Sequence, residues 1–91
     1  MISFNESFNI AEDYLIKRFQ NSDNPPVIIL NQTIETEKAW IFFYNSKRFI
    51  ENNDEFARYV GGGPLAILKN NGEIIRISPF VENFDEFLSS Y

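Results

Sequence analysis

Few side chains in this chain could do chemistry. It has no His and no Cys, so the commonest general base and the best nucleophile are both missing, and any catalysis would rest on carboxylates, Lys, Tyr or Ser. The candidate carboxylate pairs are Glu35 with Glu37, Asp54 with Glu55, and Asp85 with Glu86. Glu35 and Glu37 flank an expected turn and could share a face, the minimum for a glycosidase-like pair. Solvated charges on a hairpin explain them more simply. The other two pairs fall near expected helix starts, where acids meet the helix dipole favourably. No Asp-x-Asp-x-Asn-Gly loop and no His-Glu cluster occurs, so neither a metal nor a cofactor is assigned. "GGGP", Gly61 to Pro64, could offer backbone N–H groups to an anion, but Pro64, Leu65 and Ala66 stand where a phosphate loop needs Lys and Ser or Thr. Its simpler reading is a helix stop and a sharp turn into a strand, with Gly free to take positive φ.

The other concentration of recognition-type residues is "AWIFFYNSKRF", Ala39 to Phe49. Strand alternation puts Trp40, Phe42 and Tyr44 on one face and Ile41 and Phe43 on the other. Both faces are apolar, so both need cover. Trp40 and Tyr44 are core if they face a helix and interface anchors if they do not, and the sequence leaves this open.

The elements that must position these residues follow from periodicity. Phe4, Phe8, Ala11, Leu15 and Phe19 form one helical stripe, and Ser3 with Glu6 reads as a capping box, so a helix is predicted over about Phe4 to Gln20. "NSDNPP" ends it. "VIILNQTIET" and "AWIFFYN" read as two strands joined through "ETEK". An irregular stretch and a short helix from about Asp54 to Val60, capped by Asn53 and stopped by Gly61, come next. "PLAILKNNGEIIRIS" reads as a hairpin with a type I′ turn at Asn71-Gly72. In "PFVENFDEFLSSY", Phe80, Phe84, Phe87 and Tyr91 fall along a final helix that Pro79 can start. The expectation is an α+β domain in the order α-β-β-(α)-β-β-α. It has a four-stranded, largely antiparallel sheet, with the N- and C-terminal helices packed on one face.

With 91 residues, 44% hydrophobic and 23% charged, the chain suits one domain over residues 1–91. The absence of Cys fits a reducing, cytoplasmic compartment. There is no signal-peptide pattern and no run of about 18 apolar residues that would span a bilayer. A net charge of −5 argues against a nucleic-acid partner, which needs clustered Lys and Arg. It favours a basic protein partner.

Together, "AWIFFYNSKRFI", "GGGPLAILKNNGEI" and the closing "VENFDEFLSSY" resemble the YrhB-like family, also called Immunity protein 35. The likeness covers about Ile34 to Tyr91, and the leading amphipathic helix is also similar. In this family a W-x-F-F-Y-x-S run precedes G-x-x-P, an x-x-G turn and a C-terminal helix ending in Tyr. "NNG" before the turn glycine and the Phe-rich final helix depart from that pattern. The resemblance implies a small bacterial cytosolic protein that protects its producer by binding a toxin of a polymorphic system, with some relatives chaperone-like. It offers no catalytic residues to carry over; Trp40, Phe42, Phe43, Tyr44, Gly61, Gly63, Pro64 and Gly72 mark fold on the matching positions.

The expected function is therefore a non-catalytic immunity protein that binds a cognate protein toxin, not an enzyme. The alternative is a chaperone-like module holding partly unfolded clients on an apolar sheet face. The expected partner-binding residues are Trp40 and Tyr44 as aromatic anchors and Glu35, Glu37, Glu51, Asp54 and Glu55 as steering charges. No membrane partner is expected, and homodimerisation through a sheet edge or the aromatic face stays open.

Overall fold

A computed structural model describes all 91 residues, Met1–Tyr91. Helix α1 spans Phe4–Arg18 and carries the expected capping box: the Glu6 N–H donates to Ser3 Oγ (3.1 Å) and the Ser3 N–H to Glu6 Oε1 (3.2 Å). It stops slightly short of the predicted end, where the Phe19 N–H donates to the Leu15 carbonyl.

The two strands expected over 27–36 and 39–45 form one long hairpin broken in the middle. β1 (Pro26–Ile28) pairs with β4 (Tyr44–Ser46), and β2 (Ile34–Glu35) pairs with β3 (Ala39–Phe42), both antiparallel. Residues 29–33 must fit opposite only 42 and 43, and the surplus winds into a 3-10 turn at Leu30–Gln32. The Ile29 N–H still reaches the Phe43 carbonyl at 2.8 Å, so the ribbon bends at Phe43 without coming apart.

β5 (Leu65–Leu68) pairs with β3 and with β6 (Ile74–Arg76), giving a four-stranded antiparallel sheet of order β2-β3-β5-β6. The β5–β6 hairpin is where the sequence puts it, but its turn differs. Among non-glycine residues only Asn53 has positive φ, so Asn71 cannot take its part in a type I′ turn. The loop runs from Lys69 to Gly72, with Gly72 alone at φ +75 and its N–H donating to the Leu68 carbonyl at 2.8 Å.

The terminal helices lie on opposite faces of the sheet, not on one. Ala11 and Leu15 of α1 pack with Phe42, Leu65 and Ile67, joined by Trp40 and Tyr44. Leu88 of α3 (Phe84–Leu88) packs with Ala39, Ile41, Ala66, Leu68, Ile75 and Ile77, joined by Phe43 and Phe87. The alternation along β3 is as predicted, and each of its apolar faces receives its own helix. Ile41 and Phe42, adjacent and both fully buried, each contribute about 1.5–3 kcal/mol to the cluster on their side.

Two more elements shift from expectation. The middle helix, α2, spans Lys47–Asn52 and starts on Ser46, whose Oγ accepts the Phe49 N–H. Asn53 ends this helix at φ 55 and does not start one, while Asp54 caps a 3-10 turn at Glu55–Ala57. Gly61 follows no helix. The last helix is a single short turn capped by Asn83 rather than a longer one opened by Pro79, and Phe80 lies outside it, 89% exposed.

Candidate functional site

Because α3 covers the second face of the sheet, its first turn comes beside the β2–β3 turn and a groove of about 730 Å³ opens between them. Ile34, Phe84 and Leu88 give it apolar surface, and Glu35, Glu37, Glu82 and Asp85 line it with four carboxylates. The cations nearby are already engaged. Lys38 Nζ donates to the carbonyls of Ser89 (2.9 Å) and Tyr91 (3.1 Å), tying the turn to the end of α3. Lys69 Nζ bonds Glu35 Oε2 at 2.7 Å and lies 4.9 Å from the centre of the Trp40 ring. Glu37, Glu82 and Asp85 have no ion-pair partner, so the groove holds uncompensated negative charge over an apolar floor.

The predicted site residues separate into groups. Glu35 and Glu37 lie in the groove; Trp40 is cross-strand from Glu35 and linked to it through Lys69. Trp40 is half-buried, edge-on to Phe4 at 5.2 Å between ring centres, so it supports the groove end from the α1 side. Tyr44 is also half-buried and packs with Phe19 and Tyr59 near the far end of the broken hairpin. Glu51, Asp54 and Glu55 belong to α2 and the turn after it, on the β1–β4 side. Asp54 is occupied as a cap, its Oδ1 accepting the Phe56 N–H at 3.1 Å.

Sequence reasoning missed the acids that complete the groove. That reasoning pairs Asp85 with Glu86 at a helix start and gives Glu82 no part. The alternation of acids with Phe in "VENFDEF" was the available signal, since it marks a segment with one face docked and the other presented. Phe56 and Val60, expected within a helix, are 103% and 93% exposed. No cluster of three or more His, Cys, Asp or Glu is placed to hold a metal ion, and no helix is long and apolar enough to cross a membrane.

Near Tyr44, the Tyr59 hydroxyl donates to the Asn24 carbonyl. Burial pushes the Tyr59 phenol above its ordinary value of 10.0, with Tyr44 adding to the rise and Arg48 opposing it. Above the ordinary value an unfolded chain has released a proton that the folded one keeps. Stability is therefore full below about pH 10 and falls as pH rises through the folded value. Tyr59→Phe is expected to flatten this alkaline fall in urea melts taken between about pH 9 and 11, and slopes equal to wild type would discount the residue.

Two buried clusters, one on each face of an antiparallel sheet, and a charged groove over apolar surface define a small α+β protein. The model of the family described as Immunity protein 35 matches residues 5–90, and the chain belongs to that family. It is 32% identical over 91 residues to the uncharacterized protein YrhB of Escherichia coli (strain K12), covering 100% of this chain and 89% of the relative. No solved structure matches the chain.

Proposed function

We propose that this protein is a non-catalytic immunity protein that binds a cognate bacterial toxin in the cytoplasm and neutralises it stoichiometrically. The observation that carries the reading, beside the family, is the groove between the β2–β3 turn and α3, where three unpaired carboxylates surround Ile34, Phe84 and Leu88. Unpaired charge speeds encounter with a basic surface, and the apolar floor slows dissociation once water is excluded. Of the expected anchors, Trp40 contributes by holding the groove end in place; Glu35 and Glu37 contact the partner. Glu51, Asp54, Glu55 and Tyr44 lie outside this docking surface.

The same geometry weighs against the chaperone-like alternative. Both faces of the four-stranded sheet are covered, which leaves no bare sheet for an unfolded client. The two sheet edges, β2 and β6, are two and three residues long. Strands this short offer a second chain little edge to pair with. Co-expression with the toxin encoded beside its gene tests the proposal: the wild-type protein should restore growth and co-purify with the toxin in equal amounts. Undiminished killing, with the protein folded and present, would refute it.

A further inference from the structure

At the β1–β4 end of the molecule, away from the groove, a recess of about 260 Å³ has the opposite chemistry. Arg18, Tyr44 and Asn45 line it together with Phe19, Tyr59 and Val60, and no Asp or Glu does. Its donors are only partly engaged within the chain. Asn45 Oδ1 accepts two N–H groups, from Ser46 (2.7 Å) and Tyr59 (2.8 Å). An amide atom that accepts twice must be the oxygen, so Asn45 Nδ2 is a donor with no partner within the chain. The Tyr44 hydroxyl makes no hydrogen bond within the chain, and Arg18 uses one guanidinium nitrogen on the Tyr14 hydroxyl at 3.3 Å. The walls are flat and apolar: Phe19 and Tyr59 stack with ring centres 5.1 Å apart at 12°, and the Arg18 guanidinium lies 5.7 Å from the Phe19 centre.

We propose that this recess is a carboxylate-binding site whose ligand is an Asp or Glu side chain of a protein partner. A guanidinium fork matches a planar carboxylate with two parallel bonds, and the amide and phenol supply further donors. A phosphate dianion fits less well, because Arg18 sits in the last turn of α1, where the negative end of the helix dipole penalises added charge. Exposed Val60, at the rim, offers apolar contact, which a protein surface around the carboxylate would use and a free acid would not. The site does not depend on what the acidic groove binds.

The test is an NMR titration of the full chain with N-acetyl-glutamate methylamide. Its uncharged glutamine twin, succinate and inorganic phosphate serve as the other arms. The glutamate probe should give saturable shifts at the Arg18 and Asn45 side chains and the Gly62 backbone in the millimolar range. The glutamine twin should give none. Arg18→Gln should weaken binding about tenfold, the effect of losing a charge-assisted bond, and Tyr44→Phe should weaken it less while leaving the ring packing intact. Equal shifts from the glutamine twin, shifts that never saturate, or tighter binding of phosphate would overturn the carboxylate assignment. Tighter binding of succinate than of the glutamate probe would overturn the assignment to a protein side chain.

Discussion

Gly63→Ala is expected to remove about 3 kcal/mol or more of folding stability, a large part of the roughly 5–15 kcal/mol that holds a small domain together. A Cβ at position 63 would sit 1.7 Å from the Ile77 carbonyl oxygen and 2.9 Å from Pro79 N, all backbone, so no side chain can swing aside. The two segments cannot separate cheaply either, because the Ile77 N–H donates to the Pro64 carbonyl at 3.0 Å and Ile77 is in the α3-side core. The neighbouring glycines give a graded control. Gly61 has φ +81 with open space around its would-be Cβ, so Gly61→Ala should cost about 1 kcal/mol of backbone strain. A Cβ at Gly62 meets only the Tyr44 hydroxyl at 3.7 Å, and Gly62→Ala should stay within about 0.5 kcal/mol of wild type. Urea unfolding midpoints should therefore fall most for position 63, less for 61 and hardly at all for 62. A Gly63→Ala midpoint equal to that of Gly62→Ala would contradict the close approach.

The three glycines also show where the sequence was legible. "GGGP" leads into β5 as expected, since Gly and Pro punctuate structure locally, but it stops no helix. That the third glycine matters most was hidden, because its constraint comes from Ile77, far along the chain. The same division runs through the fold. The α1 stripe, its capping box, the alternation of Trp40, Phe42 and Tyr44 against Ile41 and Phe43, and the β5–β6 hairpin are set by neighbours a few residues apart. The break at residues 29–33 comes from unequal lengths of two pairing strands, and no single strand carries that information. Alternation shows that β3 has two apolar faces but not which helix covers each, so the opposite-face packing of α1 and α3 had to come from the structure. The acidic groove inherits this limit. Glu35 and Glu37 were visible as acids beside a turn, whereas Glu82 and Asp85 become their neighbours only once α3 is on the second face.

If that groove docks the toxin, the triple variant Glu37→Lys, Glu82→Lys, Asp85→Lys should slow association with it by about 10–10³-fold at low salt. The size of the effect follows from the lack of compensation: none of these three carboxylates has an ion-pair partner, Lys38 is bound to backbone carbonyls, and Lys69 is bound to Glu35. A partner approaching within a Debye length, about 8 Å at physiological salt, meets their full local charge. Net charge alone would also change, so the control is Glu12→Lys, Glu51→Lys, Glu55→Lys, which shifts the total equally using exposed acids outside the groove. The groove triple should be slower than the control by about tenfold or more, with the gap closing as salt rises. Asp85 lies in the first turn of α3, where neutralising it costs about 0.3–1 kcal/mol and reversing its sign about twice that. Asp85→Asn in the same background separates that loss of helix stability from loss of steering. Equal slowing by the two triples would mean that overall charge attracts the toxin and the groove does not, and greater slowing by the control would move the docking surface to the α2 end.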